Sequence, residues 1–321
     1  METFFTKDKN FYKVFFRLML VVALQNLVAY SVNMLDNMML GSYDQNALSG
    51  AATVNQIFFV VNQLAIAIGN ALIVMSSQYW GKKDTYAIRK LTGIVLIFSL
   101  LAAMIILAIC SAFPEQLLGL FTTSPDIIME GQTYLKILKW TFVLFLISNL
   151  LISMLRSVET VQISFVVSVI SLIVNGGINY TLIFGHFGFP EMGIKGAAIG
   201  ILTARSLEFL IVLFYVVKID KKVRVFDGGL LRGTFTAENR KLCRDFIKVS
   251  TPVILSGLVW AISIPMQTAI LGHLSSDAIA ANSVATTFFQ YLKVIVVAIA
   301  SASSVAVSYT HLRAHETDSY L

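Results

Sequence analysis

Charged residues are scarce in this chain of 321 residues. Asp, Glu, Lys and Arg make up 13% of it, whereas about a quarter of an average soluble domain is charged. Apolar residues make up 57% of the chain. A water-soluble fold is therefore close to excluded, because too few charges remain to solvate its surface. Intrinsic disorder is excluded for the same reason, since disordered chains are polar.

Cysteine and enzyme signatures are also missing or rare. Cys110 lies in an apolar run and Cys243 in a basic loop, and neither belongs to a CxxC pair. A disulfide framework and a structural zinc site are both disfavoured. The chain contains no HExxH, GxSxG or Walker A pattern, and no GxGxxG after a strand. We therefore expect a protein that is not an enzyme and binds no cofactor other than a coupling ion.

Long apolar runs are what the chain has in abundance. A bilayer core about 30 Å thick needs roughly 20 apolar residues in a helix. Eight runs reach this length, and none shows the alternating pattern of a membrane β-barrel. The sequence therefore predicts an all-α polytopic membrane protein. The runs cover residues 14–40, 48–78, 91–113, 136–155, 161–184, 194–217, 246–272 and 278–308.

The connections between these runs alternate in charge. The N-terminus, the second connection and the sixth connection are rich in Lys and Arg, whereas the first, third, fifth and seventh carry acidic residues. Because Lys and Arg collect in cytoplasmic connections, this predicts a multi-pass protein of a prokaryotic plasma (inner) membrane with a cytoplasmic N-terminus. The basic residues thus orient helices, and the net charge of +6 does not indicate a nucleic-acid partner.

A weak internal repeat divides the chain. A shift of 231 residues aligns the first run with the seventh, with nine identities in 48 positions and a shared Leu-Gly-x5-Ala-[Leu/Ile] hairpin. Six spans separate the copies, so the repeat is parallel and predicts two six-helix lobes related by a pseudo-two-fold axis. We expect twelve helices in the complete protein. The predicted parts of this chain are a six-helix N-terminal lobe at 1–217, a cytoplasmic basic linker at 218–245 and the first two helices of a second lobe at 246–307.

The last residues, 308–321, have a different composition. Apolarity stops after Val307, and the tail YTHLRAHETDSYL holds two of the four histidines of the chain. This tail resembles translated sequencing-adapter read-through. We expect it to be foreign and the chain to be truncated at its C-terminal end, with a natural polar C-terminus as the alternative.

Two carboxylates lie clearly inside the runs, Asp36 and Glu208. An ionisable group in hydrocarbon is costly and marks a functional site by default. Asp36 lies five residues before Gly41, which places it roughly 7 Å below the predicted outer boundary. The alternative for Asp36 is an acid that reaches the interface without a further role.

Amide side chains fall at a similar depth on other runs. Asn175 and Asn179 share one helix face because they are four residues apart. A carboxylate ringed by amides can bind a proton or a hard cation such as sodium through oxygens. We predict such a cation site at Asp36, Asn175 and Asn179, with interhelical hydrogen bonding as the alternative for each amide. Further amides at this depth are Asn33, Asn55 and Gln56.

Four further side chains attract attention. Arg205 and Glu208 share a face of the sixth run at i,i+3, which predicts a structural ion pair. Met34 lies beside the predicted site, where a flexible thioether suits varied apolar ligands, although lipid-facing or core packing is the alternative. Lys293 lies inside the eighth run, and the sequence does not decide whether it repels a cation, replaces one or reaches the interface.

Three stretches resemble, in order and spacing, segments of the multidrug and toxic compound extrusion (MATE) family of antiporters. NMLDNMMLGSYDQNALSGAATVNQIFF is similar to the first hairpin of the family and QYWGKKD to the connection after its second span. LRSVETVQISFVVSVISLIVNGGINYTLIFGHFGFPEMGIKGAAIG is similar to its fifth-to-sixth span segment. The resemblance covers about residues 12–307 and implies twelve helices in two lobes, with drug export driven by entry of sodium or protons.

The resemblance also implies roles for individual residues. Asp36 falls at the first-span aspartate of the family, which is proposed to carry the coupling ion, and Asn175 falls at its fifth-span asparagine. Asn179 falls where some members have an aspartate, Ile201 where some have a cavity threonine, and Trp260 where another subfamily has a glutamate. These departures leave Asp36 as the only carboxylate of that site in the first lobe, and they leave the coupling ion open.

We therefore expect a monomeric secondary antiporter that exports amphipathic, cationic compounds in exchange for protons or sodium. Its partners would be these small molecules and membrane lipid. A flippase for a lipid-linked saccharide is the alternative, disfavoured because the first lobe offers only Arg205 as a cavity cation. A third possibility is an inactive fragment. The expected substrate cavity is lined by Asn33, Met34, Asn55, Gln56, Ile201 and Thr203.

Overall fold

The regular elements of the chain are all helices in the part that the structure describes. This computed structural model describes residues 9–227, 237–274, 289 and 292–303. The predicted all-α class is confirmed. The α-helices are α1 Lys9–Tyr43, α2 Gln45–Gly81, α3 Thr85–Ala112, α4 Pro114–Gly119, α5 Pro125–Ser157, α6 Gln162–Phe184, α7 Ile194–Phe214, α8 Ala237–Leu274 and α9 Leu292–Ser303. Two short helices of other types are His186–Gly188 (3₁₀) and Tyr215–Ile219 (π).

Within the described residues, seven helices are long and apolar enough to cross a membrane. They are α1, α2, α3, α5, α6, α7 and α8. These helices correspond to the first seven predicted runs, so the polytopic membrane class is confirmed as well. The eighth predicted run, 278–308, lies largely outside the described residues, and α9 covers part of its second half. The predicted foreign tail and residues 228–236 of the predicted linker also lie outside them, so those predictions stand as predictions.

Several helices extend beyond the apolar runs that predicted them. α5 begins at Pro125, where the sequence predicted a start at 136, and α8 begins at Ala237, where it predicted 246. Hydropathy marks only the part of a helix that lies in the hydrocarbon core. The helix itself can continue into flanking polar residues whose helix propensity is good. The third predicted connection also contains a helix of its own, α4.

The bundle has two chemically different ends. The end with Lys82 and Lys83 between α2 and α3, and with residues 220–227 after α7, is called the basic end here. The opposite end, with Asp44 between α1 and α2, is called the acidic end. Asp44 starts α2, because its carboxylate accepts a hydrogen bond from the Ala47 backbone N–H at 2.7 Å and caps the helix.

α2 and α5 form the central pair of the bundle. Near the acidic end Gly50 of α2 lies against Gly131 of α5, and a Cβ at position 50 would be 2.9 Å from the Gly131 nitrogen. Small residues at such crossings let two backbones approach closely. Apolar side chains fill the bundle in two large clusters, one toward each end. The acidic-end cluster includes Leu40, Val54, Leu118, Tyr134 and Phe142, and the basic-end cluster includes Leu72, Ile88, Leu91, Leu151 and Phe246.

α8 packs against the outside of this bundle. It runs along α2, and a Cβ at Gly257 of α8 would lie 3.4 Å from the Ala67 Cβ, in van der Waals contact. The Lys293 ammonium of α9 lies 5.1 Å from the centre of the Trp260 ring of α8. This cation–π contact gives Lys293 a partner on the neighbouring helix.

Candidate functional site

Asp36 lies buried in α1 against two amides of α6. Its side chain is 7% exposed, and Asn175 and Asn179 are buried more completely. The Asn179 Nδ2 donates a hydrogen bond of 2.6 Å to Asp36 Oδ1 and lies 3.4 Å from Asn175 Oδ1, which also accepts from it. The three residues of the predicted cation site are therefore in one hydrogen-bonded group. α1 and α6 meet along their lengths, and this contact brings the carboxylate and the amides together.

α7 supports Asn179 from the side opposite Asp36. A Cβ at Gly200 would be 3.0 Å from Asn179 Cγ and closer still to Asn179 Oδ1. Only glycine leaves room for the amide at this point. The backbone of α7 therefore holds Asn179 in the position from which it donates to Asp36.

The amides retain hydrogen-bonding groups that are not used. Among the described residues, Asn175 Nδ2 and Asn179 Oδ1 are buried and have no hydrogen-bond partner. Most buried polar atoms in folded proteins are hydrogen-bonded, so each such atom calls for an explanation. An unused donor and an unused acceptor beside a carboxylate give the group the capacity to bind one more ligand.

Asp36 also forms part of the wall of an open cavity of about 540 Å³, measured with its mouth. Helices α1, α2, α5, α6 and α7 all contribute to the wall. Its polar and charged residues are Asn33, Asp36, Asn55, Tyr134, Thr141, Ser171, Asn175 and Arg205. Its apolar residues are Val32, Phe58, Leu138, Ile201 and Ala204.

The residues predicted to line the cavity divide into two groups. Asn33, Asn55 and Ile201 lie in its wall. The structure places the other three, Met34, Gln56 and Thr203, outside it with exposed side chains. Met34 is 58% exposed, and the Thr203 hydroxyl donates back to the Ile199 carbonyl of its own helix at 2.8 Å. Depth follows from distance along a helix, but the face that a residue occupies depends on how the helix is rotated in the bundle.

Arg205 and Glu208 of α7 form an ion pair at the edge of the same cavity. Arg205 Nη1 donates to Glu208 Oε2 at 2.6 Å, and the guanidinium lies 5.0 Å from the centre of the Phe145 ring. Arg205 is also a wall residue of the cavity. The pair therefore lies within the site that contains Asp36.

The cavity contains polar residues that the sequence argument did not select. Ser171 shares the four-residue spacing of Asn175 and Asn179 on α6, and that spacing was the available signal. Tyr134 and Thr141 lie on one face of α5, seven residues apart. Nothing in the sequence distinguishes them from ordinary residues of an apolar helix, because their place in the wall depends on how α5 packs.

The comparisons with known proteins assign the chain to a family. Residues 22–181, about half of the chain, match the MatE family model. The chain is similar to the probable multidrug resistance protein NorM of Rhizobium meliloti (strain 1021), with 24% identity over 289 residues, covering 89% of this chain and 60% of that protein. It is also similar to the probable multidrug resistance protein YoeA of Bacillus subtilis (strain 168), with 24% identity over 290 residues, covering 90% and 62%. The chain belongs to the MATE family, and it spans about 60% of the length of these relatives.

Solved structures share the fold. A multidrug resistance MATE family transporter in an outward-facing conformation superimposes with a TM-score of 0.82 at 17% identity, covering 94% of this chain and 65% of that one. A MOP superfamily transporter from Pyrococcus furiosus Vc1 (DSM3638) gives a TM-score of 0.81 at 19% identity, covering 92% and 65%. The chain thus has the fold of a multi-pass membrane transporter of this family.

Proposed function

We propose that the protein carrying this chain is a secondary active antiporter that exports amphipathic, cationic organic compounds in exchange for protons or sodium. The observation that carries the proposal is the buried carboxylate of Asp36, held by an amide in the wall of an open cavity that five helices line. The multidrug resistance names of the curated relatives support the export of drugs.

The exchange follows because two kinds of cation compete for a single negative charge. A cationic compound in the cavity and a coupling ion at Asp36 are both attracted to this carboxylate. Since one charge cannot neutralise both, binding of either lowers the affinity for the other, and this coupling is reciprocal. A coupling ion that enters from outside displaces the compound, and the lobe packing shifts between inward and outward access. Antiport by alternating access requires such mutual exclusion.

Both coupling ions fit the group around Asp36. Sodium prefers oxygen ligands, and the carboxylate and amide oxygens of Asp36, Asn175 and Asn179 are of that kind. A protonated Asp36 would be a hydrogen-bond donor, and an amide oxygen can accept its hydrogen bond.

The location proposed for the protein is a prokaryotic plasma membrane, with the basic end in the cytoplasm. The Lys and Arg residues of that end support this orientation, because such residues are retained on the cytoplasmic side. The protein would work as a monomer surrounded by membrane lipid, without a cofactor or a nucleic-acid partner.

Replacement of Asp36 by Asn tests the proposal. The substitution preserves the shape of the side chain but removes its charge. We expect the full-length gene product with Asp36→Asn, produced in cells that lack their own efflux pumps, to lose ion-coupled ethidium efflux. Its amount in the membrane should stay normal, because a neutral side chain costs less to bury than a charged one. Asp126→Asn, which neutralises an exposed carboxylate at the acidic end, is the matched control and should leave efflux unchanged.

A second measurement identifies the coupling ion. Ethidium binding to the purified protein should weaken either with added sodium or with falling pH in the wild type. Asp36→Asn should respond to neither. Ethidium efflux at the wild-type rate after Asp36→Asn would show that the cation site lies elsewhere in the protein.

A further inference from the structure

Arg205 belongs both to the cavity and to an ion pair. Its guanidinium lines the cavity that contains Asp36, close enough for the two charges to interact. Its Nη1 also donates to Glu208 at 2.6 Å. A residue in this position can affect how cations bind, and the inference below rests on the proposed function of that cavity.

The charges around the cavity are unequal in number. Among the described residues of this group, Asp36 and Glu208 carry negative charges and Arg205 carries a positive charge, so the sum is one negative charge. The other groups are neutral: the amides of Asn33, Asn55 and Asn175 and the phenol of Tyr134 line the same cavity, and the Asn179 amide donates to Asp36. With Arg205 paired to Glu208, the unpaired negative charge belongs to Asp36.

Arg205 cannot lose its charge, so its partner decides what it does. An arginine guanidinium stays protonated in proteins and has five N–H donors in a fixed fork. Here Glu208, whose side chain is 10% exposed, holds one end of the fork, and the Phe145 ring lies 5.0 Å from the guanidinium. If Glu208 released Arg205, the nearest remaining carboxylate that lines the cavity would be Asp36.

We propose that Arg205 is an internal cation that competes with transported cations for Asp36, and that Glu208 restrains it. The ion pair then sets how strongly the cavity attracts an organic cation. In this arrangement Glu208 acts only through Arg205, and the two members of one salt bridge have opposite effects on cation binding.

The opposite effects can be measured with tetraphenylphosphonium, whose charge is permanent. Arg205→Gln removes the competitor, so the affinity for tetraphenylphosphonium should rise. The expected gain is on the order of tenfold, because one unit of positive charge is removed from the wall of the same cavity. Glu208→Gln frees Arg205 to approach Asp36, so the affinity should fall by a similar factor. An ion pair with a purely structural role would weaken binding in both variants.

The double variant provides the sharpest comparison. If Glu208 acts only through Arg205, Glu208→Gln has nothing to release once Arg205 is replaced. Arg205→Gln/Glu208→Gln should therefore bind tetraphenylphosphonium at least as tightly as the wild type. The variants that keep the charges, Arg205→Lys and Glu208→Asp, should show neither the gain nor the loss.

The experiment is equilibrium dialysis of radiolabelled tetraphenylphosphonium against the full-length protein in lipid nanodiscs, at fixed pH and ionic strength. Lys218→Gln controls for loss of a positive charge at an exposed site away from the cavity. The melting temperature of each variant shows whether it is folded. Opposite shifts in the two single variants, with recovery in the double variant, support the proposal. Shifts in the same direction, or a loss in Glu208→Gln that persists without Arg205, overturn it.

The Asp36→Asn variant separates this inference from the proposed function. If Asp36→Asn abolishes tetraphenylphosphonium binding while the Arg205 and Glu208 variants do not oppose each other, only the role of Arg205 fails. If the wild type does not bind tetraphenylphosphonium, or if Asp36→Asn binds it as tightly as the wild type, the proposed role of Asp36 fails and the inference fails with it.

Discussion

Asn179 connects the three helices that build the site around Asp36. It donates to the carboxylate of α1, shares its donor with Asn175 of its own helix, and lies against the backbone of α7 at Gly200. A neutral amide here leaves Asp36 as the only acid of the group, whereas an aspartate at position 179 would place two carboxylates in contact. One residue thus decides how many negative charges the site contains.

Gly200→Ala should displace the Asn179 amide. In the interior of a helix this change normally stabilises by about 0.5–1 kcal/mol, because alanine loses less conformational freedom. Here the added methyl group would overlap the Asn179 side chain, so we expect a loss of about 1–3 kcal/mol from overpacking and weaker cation binding. Thermal unfolding of the purified protein and tetraphenylphosphonium dialysis measure the two effects.

Gly177→Ala is the matched control for this prediction. Gly177 lies on α6 between the two asparagines, and a Cβ there would meet no atom within 4 Å. The alanine variant should be as stable as the wild type or slightly more stable, with unchanged cation binding. A Gly200→Ala protein that behaves like Gly177→Ala would show that Asn179 does not depend on close contact with α7.

At the scale of elements, residues 220–227 after α7 form a docked segment. The sequence predicted the start of a basic linker here, but two valines of the segment, Val223 and Val225, are fully buried among residues of the basic-end cluster. Arg89 of α3 donates to the Val223 carbonyl at 2.6 Å, and Lys222 reaches the Val158 carbonyl at 2.7 Å. The segment therefore ties α3 and the end of α5 to the polypeptide that leads to α8.

Val223→Ser should release this segment. Loss of a buried valine side chain costs about 1.5–3 kcal/mol, and burial of an unpaired hydroxyl would add to that cost. We expect a lower melting temperature and faster tryptic cleavage at the neighbouring Lys222 and Arg224. Phe226→Ser is the control, because Phe226 is 38% exposed and keeps the same cleavage sites. Equal cleavage rates in the two variants would mean that Val223 does not hold the segment in place.

At the scale of the whole molecule, the two ends of the bundle differ in charge and therefore have different expected locations. The basic end contains the exposed Lys82 and Lys83, and the acidic end contains the exposed Glu115 and Asp126. Positive residues are retained in the cytoplasm, so this asymmetry predicts that the basic end faces the cytoplasm. The direction of every membrane-spanning helix follows from that placement.

Single-cysteine labelling tests this orientation. With Cys110 and Cys243 replaced by alanine, Lys83→Cys should react with a membrane-impermeant maleimide only after the cells are opened. Asp126→Cys should react in intact cells, and it serves as the positive control for reagent access. Reaction of Lys83→Cys in intact cells would reverse the predicted topology.

The sequence alone determined the class of this molecule. When long apolar runs lie in a membrane, their backbone N–H and C=O groups can form hydrogen bonds only within helices, because hydrocarbon offers no hydrogen-bond partner. Asp36 and the pair Asn175 and Asn179 could be selected for a related reason, since polar groups are expensive in hydrocarbon and the four-residue spacing fixes a shared face.

The tertiary structure decided which of these polar residues meet. Hydropathy gives the depth of a residue along its helix, but the rotation of each helix is set by close packing between helices, such as α7 against Asn179 at Gly200. For this reason Asn33 and Asn55 line the cavity while Met34, Gln56 and Thr203 do not. The same packing brings Arg205 into the wall of the cavity that contains Asp36, a proximity that no spacing along the chain encodes.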